Sequence, residues 1–284
     1  LEFTTDDIEY MHHGDRALLL RLVRPKGNGP FPIVVDIHGG AWTNSDRFSC
    51  AMRDEAMARA GIAAAALDFR QGPDGYPSSL IDINYAIRWL KVHAAELRLD
   101  ATRVGLAGAS SGAHLAMLCA MRPRDPRYAS QRFDGGLADL DAQVRCVGMV
   151  APVINPLSRY RRAVALGKGA NPPDWAVRIP ALHDTYWKSE AAMAEGNPLL
   201  ALERGEAVEM PPAILIQGTP DAAHIYRDPD ASDGHAGENE QERFIDAYRR
   251  RGGKIDLVYV ESEENQSPQL YEPLTRFLVA QLRG

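Results

Sequence analysis

A serine flanked by glycines has the residue types that a nucleophilic enzyme needs. Residues 108–112 read G-A-S-S-G, which fits the G-x-S-x-G pattern with Ser110 at its centre. In this pattern a sharp turn between a strand and a helix exposes the serine oxygen, and the glycines allow strand and helix to approach closely. Small residues also fill ordinary turns, so the pattern alone is weak. The apolar segments on both sides favour the nucleophile interpretation.

Attack by a serine on a carbonyl carbon creates an oxyanion, which backbone N–H groups must stabilise. The run H-G-G-A-W at residues 38–42 follows an apolar segment, and Ser111 directly follows the serine. We predict that the oxyanion hole consists of the N–H groups of Gly40, Ala41 and Ser111. A tight turn after a strand is the alternative explanation for the two glycines of this run.

The serine also needs a base, and the base needs a carboxylate that holds its tautomer. Asp221 follows an apolar segment and is predicted to orient a histidine, with a helix cap or a turn aspartate as the alternative. The long connection after it carries His224 and His235, and no histidine follows His235. We predict His235 as the base, because the small residues around it would let it reach the edge of the sheet. A solvent-exposed loop histidine is the alternative.

The elements that must position these residues follow from hydrophobic patterning. Two leading strands with a turn between them predict an antiparallel hairpin, and alternating strands and helices then predict an α/β fold with a mostly parallel sheet and helices on both faces. The predicted strands cover residues 8–12, 17–23, 31–37, 62–69, 104–107, 144–154, 213–217 and 255–260. The predicted helices cover residues 46–60, 77–97, 241–251 and 270–282, with a further helix after the serine. Ser79 and Asp82 fit a capping box for the second helix.

We predict one domain over residues 1–284, with a cap inserted at about 155–205. Periodicity is lost there while Pro, Trp, Tyr and Arg accumulate, and an unstructured connection of that length is uncommon in a compact domain. We therefore expect short helices over the site, for example at residues 186–195. Trp42 and Trp187 are predicted to line the substrate pocket, because such pockets have mainly apolar walls.

Composition limits the partners and cofactors. The 284 residues carry a net charge of −6, which gives no electrostatic argument for nucleic acid or an anionic membrane. No apolar run approaches the ~20 residues that span a bilayer. The three cysteines are predicted to be buried free thiols, and three aspartates in the loop at 228–233 do not complete a calcium motif. We expect no cofactor or metal and a cytoplasmic protein that has lost its natural start; a homodimer is compatible with the sequence.

These motifs resemble the α/β-hydrolase superfamily, and within it the hormone-sensitive-lipase-like and feruloyl-esterase-like carboxylesterases. The resemblance rests on the runs at 38–42 and 108–112, on residues 68–70 with Pro77, and on G-T-P-D at 218–221. It implies a serine carboxylesterase that cleaves a small or aromatic ester through an acyl-enzyme. An H-G-G-x-W run also occurs in kynurenine formamidases, so an arylformamidase-type amide hydrolase is an alternative.

The chain departs from the resembling family at the base. That family carries its histidine just beyond the last strand, where this chain has none, and Asn265 or Gln266 stands at that place. Neither amide accepts a proton at neutral pH. Three explanations are open. A histidine from the loop after Asp221 serves as the base and is oriented by a glutamate at 261, 263 or 264; or the base has been lost; or Ser110 belongs to a catalytically silent binding protein. We favour the first explanation.

Overall fold

The computed structural model describes residues 1–133, 140–227, 239–262 and 267–284. Within these ranges, eight strands form one sheet in the order β1-β2-β4-β3-β5-β6-β7-β8. The strands are β1 (Phe3–His13), β2 (Arg16–Pro25), β3 (Phe31–Ile37), β4 (Ala63–Leu67), β5 (Leu99–Ala109), β6 (Val147–Val150), β7 (Ala213–Thr219) and β8 (Ile255–Glu261). Strand β2 is antiparallel to both β1 and β4, and the remaining neighbours are parallel. The predicted hairpin and mostly parallel α/β sheet are confirmed.

The helices of the described residues connect these strands. They are α1 (Ala51–Arg59), α2 (Ser78–Val92), α3 (Ser111–Met121), α4 (Pro156–Gly167), α5 (Asp174–Trp187), α6 (Glu190–Glu195), α7 (Pro198–Glu203), α8 (Glu240–Arg250) and α9 (Pro268–Arg283). Four of them, α4 to α7, fill the connection between β6 and β7, where short helices were predicted. None of the helices in the described ranges is long and apolar enough to cross a membrane.

Helices cover both faces of the sheet because successive side chains of a strand point to opposite sides. In β3, Ile33 and Val35 join the apolar core on the side of α2, α3 and α8, whereas Val34 joins the core on the side of α1 and α9. A strand buried on both faces reads as a continuous apolar run, which is why the bounds of β3 were predicted without error.

Two predicted helices differ from the structure at one end. Helix α1 begins at Ala51 instead of residue 46. Helix α2 begins at Ser78, one residue after its predicted start, but ends at Val92 instead of residue 97, and its N-cap Pro77 provides no side-chain cap. The capping box proposed for Ser79 and Asp82 does not form: the Asp82 carboxylate instead accepts hydrogen bonds from the Arg70 guanidinium, the shortest of them 2.8 Å, and from the Arg70 backbone N–H at 2.8 Å. A carboxylate fully buried beside a guanidinium gains more from that pair than from a helix N-terminus.

Candidate active site

Ser110 lies at the turn between β5 and α3, at the carboxyl edge of the parallel strands. Its backbone adopts φ 52° and ψ −118°, a left-handed conformation that is costly for a residue with a side chain. Hydrogen bonds to the end of β6 and the residues after it hold the turn: the Ser110 N–H donates to the Val150 carbonyl at 2.9 Å, and the Val153 N–H donates to the Ser110 carbonyl at 3.2 Å. The strained turn is therefore fixed by the neighbouring strand.

The two glycines of the serine motif are required by close backbone contacts. A Cβ atom on Gly108 would lie 2.6 Å from the carbonyl carbon of Gly112. A Cβ atom on Gly112 would lie 2.2 Å from the Ile37 carbonyl oxygen and 2.3 Å from that of His38. These distances are too short for any side chain, so α3 can approach β3 and β5 this closely only with glycine at both positions.

An imidazole and a carboxylate stand in line behind the serine hydroxyl. The Oγ atom of Ser110 is 2.9 Å from Nε2 of His224, and Nδ1 of His224 is 2.7 Å from Oδ2 of Asp221. His224 and Asp221 have only 7% and 8% of their side-chain surface exposed. This is the geometry in which a carboxylate fixes the proton on Nδ1 and leaves Nε2 free to accept the serine proton.

A single turn after β7 places both members of this pair. Oδ1 of Asp221 accepts hydrogen bonds from the backbone N–H groups of Ala223 and His224, at 3.1 and 3.2 Å. Its Oδ2 also accepts a hydrogen bond from the Gln217 amide at 3.2 Å. From α8, the Gln241 amide donates to the His224 carbonyl oxygen. The spacing of three residues, closed by an aspartate turn, puts the carboxylate and the imidazole side by side.

The environment keeps the imidazole neutral and the carboxylate ionised. Burial lowers the pKa of His224 below its usual range; the Asp221 carboxylate opposes this shift, and the Arg159 cation adds to it. Burial alone would raise the pKa of Asp221, but hydrogen bonds from His224 and the backbone outweigh it, so the pKa of Asp221 is lowered. At neutral pH Asp221 is therefore an ionised carboxylate, and the imidazole of His224 beside it is neutral and has a free lone pair.

The loop after β3 passes in front of the serine turn. Gly40, Ala41 and Trp42 all have positive φ, and a Cβ atom on Gly40 would lie 1.9 Å from the Asn44 carbonyl oxygen. The Trp42 N–H donates to the Ser111 Oγ at 3.1 Å, which ties this loop to the first residue of α3. Among the described residues, no acceptor takes the N–H groups of Gly40, Ala41 or Ser111. These are the three groups predicted for the oxyanion hole.

The two tryptophans predicted for the pocket lie together in a buried aromatic cluster. Trp42 and Trp187 are each 1% exposed, with ring centroids 5.3 Å apart in an edge-on arrangement. Tyr186 stacks on Trp42 at 6.0 Å, and His114 accepts a hydrogen bond from the Trp42 indole at 3.2 Å. Burial lowers the pKa of His114 to about 4, so this histidine is a neutral packing residue.

Among the described residues, the histidine in contact with the serine hydroxyl is His224. His235 lies outside the described residues, as do Asn265, Gln266 and two of the three glutamates proposed to orient it. The carboxylate in contact with the imidazole is Asp221, the residue predicted from the sequence to orient a histidine, and it comes from the same turn. The sequence contained a signal for this pair in D-A-A-H at residues 221–224, where an aspartate turn brings the first and fourth side chains together.

The three cysteines are buried and free, as predicted, and burial raises the pKa of each thiol to about 12. Within the part of the chain that the structure describes, no group of three or more His, Cys, Asp or Glu side chains could hold a metal ion. The aspartates of the loop at 228–233 fall outside it.

Comparison with known proteins identifies the family. The BD-FAE family profile matches residues 21–225, which is more than half of the 284-residue chain. The chain belongs to the BD-FAE family. The match begins in β2 and ends one residue beyond His224, so it includes the loop after β3, the serine turn and the Asp221–His224 turn.

Curated relatives and solved structures agree with this assignment. The probable carboxylic ester hydrolase LipM of Mycobacterium tuberculosis is 32% identical over 148 residues, which are 49% of this chain and 32% of that protein. Esterase LipC of the same organism is 28% identical over 145 residues, which are 49% of this chain and 35% of that protein. The chain thus spans about a third of the length of these curated relatives.

Two solved structures share the fold. Carboxyl esterase 2 from Tuber melanosporum aligns with a TM-score of 0.72 and 16% identity over 99% of this chain and 88% of that one. Est2 from Thermogutta terrifontis aligns with a TM-score of 0.68 and 22% identity over 97% and 92% of the two chains. The family and these neighbours establish the α/β-hydrolase fold and the likeness to hormone-sensitive-lipase-like carboxylesterases.

Proposed function

We propose that this chain is a serine carboxylesterase with Ser110 as nucleophile, His224 as general base and Asp221 as the residue that orients His224. The observation that carries the proposal is the continuous hydrogen-bonded line from the serine oxygen through the imidazole to a buried carboxylate. The esterase names of the curated relatives support the same reaction class. His235, the base preferred from the sequence, is then not needed.

The reaction follows from the positions of these groups. Nε2 of His224 takes the Ser110 proton as Oγ attacks the ester carbonyl carbon, and the negative charge that forms on the carbonyl oxygen is stabilised by the N–H groups of Gly40, Ala41 and Ser111. The intermediate collapses when His224 returns the proton to the leaving alcohol, which leaves an acyl group on Ser110. Water, deprotonated by His224, then attacks the acyl carbon and releases the carboxylic acid. No metal or cofactor is needed for these steps.

Helices α4 to α7 supply the part of the proposed pocket that does not come from the sheet. We assign residues 155–205 the role of a cap, because these helices join β6 to β7 and α5 carries Trp187 onto Trp42. Trp42 and Trp187 would form an apolar wall for a small or aromatic ester. Three free buried cysteines fit a reducing compartment, and we propose a cytoplasmic location on that basis.

Hydrolysis of para-nitrophenyl acetate and butyrate by purified variants tests the proposal. Ser110→Ala and His224→Ala should each reduce kcat by several orders of magnitude, and the double variant should be no worse than either, because members of a catalytic unit are not additive. His235→Ala should keep wild-type kcat, and so should the control His93→Ala, which replaces a partly exposed histidine on the surface. A chain that turns over esters no faster than its Ser110→Ala variant would be a silent binding protein. An inactive His235→Ala with an active His224→Ala would assign the base to His235.

A further inference from the structure

A buried arginine of the cap has no partner for its guanidinium among the residues that the structure describes. Arg159 lies in the first turn of α4 and is 4% exposed. Its Nε and Nη1 atoms are shielded from solvent and form no hydrogen bond, and no carboxylate of the described residues lies within ion-pair distance of it. A buried charged group without a partner is costly, so native proteins rarely keep one without a function.

Arg159 remains a cation despite its burial. Burial lowers its pKa to about 10, which still leaves it protonated at neutral pH, and Tyr226 and Asp221 act on it only at longer range. Asp221 already receives four hydrogen bonds, from His224, its own turn and Gln217. Asp221 is the carboxylate whose charge acts on Arg159, but its oxygens are already occupied by these hydrogen bonds. It therefore does not pair with the guanidinium.

The charge of Arg159 acts on both the Asp221–His224 pair and the aromatic cluster. Arg159 lowers the pKa of both His224 and His183 through its charge. His183 packs edge-on against Trp42, with ring centroids 4.9 Å apart, and its Nε2 atom is buried without a hydrogen-bond partner. The indole N–H of Trp187 in the same cluster is likewise unpaired. These two unsatisfied polar atoms thus belong to the aromatic cluster on which the charge of Arg159 acts.

We propose that Arg159 binds a carboxylate group of the substrate, so that the preferred substrate is an ester that also carries a free acid, such as a half-ester of a dicarboxylic acid. The inference rests on the proposed esterase function. A guanidinium forms short, charge-assisted hydrogen bonds with a carboxylate, and such an anion would satisfy the nitrogens that the protein leaves unpaired. The neutral ester group would then stand at Ser110 while the acid end is held from the cap.

A matched pair of substrates separates this role from a structural one. The probes are mono-para-nitrophenyl glutarate, which is anionic, and its methyl ester, which is neutral and nearly the same size. The wild type should favour the anion in kcat/KM by at least about 10-fold. Arg159→Met should reduce that ratio roughly 10- to 100-fold, the usual effect of losing a hydrogen bond to a charged group, and Arg159→Lys should keep part of it. Loss of a merely structural arginine would lower both rates together.

The matched control is Arg161→Met. Arg161 lies on the same helix, is 52% exposed and pairs with Glu190, so its loss should leave the ratio unchanged. A second measurement needs no cap variant: glutarate should competitively inhibit the hydrolysis of para-nitrophenyl acetate by the wild type, more strongly than the neutral dimethyl glutarate does.

Binding without turnover distinguishes failure of this inference from failure of the esterase function. Calorimetry with glutarate should show binding to Ser110→Ala and none to Ser110→Ala/Arg159→Met. If the wild type hydrolyses neutral esters through Ser110 but neither prefers the anion nor is inhibited by glutarate, the substrate inference is wrong and the esterase stands. If glutarate binds through Arg159 but no ester is cleaved in a Ser110-dependent way, the esterase function is wrong and the carboxylate site stands.

Discussion

Replacing Asp221 by asparagine should inactivate the enzyme through the tautomer of His224 and leave the fold intact. Oδ1 of Asp221 faces two backbone donors, the N–H groups of Ala223 and His224, whereas Oδ2 faces Nδ1 of His224 and the Gln217 amide. Backbone donors cannot rearrange, so the asparagine oxygen must take the Oδ1 position. Its NH2 group then stands at the Oδ2 position, 2.7 Å from Nδ1.

This orientation forces the imidazole into the wrong state. Nδ1 has to accept a hydrogen bond from the new amide, so the ring proton moves to Nε2, which faces the Ser110 Oγ at 2.9 Å. The nitrogen that should take the serine proton then donates instead. The same change in the serine-protease triad lowers kcat about 10⁴-fold, which corresponds to about 5.5 kcal/mol of barrier, and we expect a loss of that order here.

Initial rates with para-nitrophenyl acetate across pH 5 to 9 measure the effect, with thermal unfolding as the test of folding. The control is Asp256→Asn, an exposed aspartate on β8 that contacts none of these residues and should retain wild-type kcat. Retention of more than about a tenth of the wild-type kcat by a folded Asp221→Asn variant would refute the reasoning, because the wrong tautomer leaves no base on the serine.

Other expectations follow from the same contacts. The base works only when its imidazole is neutral, and burial lowers the pKa of His224. We therefore expect kcat/KM to rise with pH through a midpoint below the ~6.5 of an ordinary imidazole. A pH-rate profile with a midpoint above ~7 would contradict this. Gly112→Ala should lower both the free energy of unfolding in urea and the esterase activity, because its Cβ would lie 2.2 Å from a β3 carbonyl oxygen. Gly167→Ala should be tolerated, because the nearest atom to its Cβ would be 3.7 Å away. Arg53→Met should lower the free energy of unfolding in urea by about 3–5 kcal/mol, because it leaves the buried Asp36 carboxylate without its partner. The control Arg276→Met removes one member of an exposed pair and should change little. Equal effects would argue against a role for burial.

The strand and motif predictions succeeded where local sequence carries the physical cause. Strand β3 is a continuous apolar run because both its faces are buried, and its predicted bounds agree with the structure. The glycines around Ser110 could be identified because a strand-turn-helix crossing leaves no room for a Cβ atom. The α/β order, the helical connection between β6 and β7 and the free cysteines followed in the same way from patterning and composition.

Contacts between distant residues decided the rest. The sequence placed Ser79 and Asp82 in a helix cap, but whether a carboxylate caps a helix or pairs with Arg70 depends on where the preceding loop runs. It offered His224 and His235 in one long connection. The preference for His235 rested on the small residues around it and did not consider the turn that joins Asp221 to His224.

The clearest case is Arg159, which in sequence is one of three arginines within four residues of an ordinary amphipathic helix. Its neighbour Arg161 is exposed and paired. Arg159 is buried and has no partner among the described residues, because α4 packs against α5, the helix that carries His183 and Trp187. Helical periodicity fixes which side chains share a face, but only the packing of α4 against the site determines which face loses water. The serine motif could therefore be identified from local sequence, whereas the proposed base and the proposed substrate contact depend on the tertiary structure.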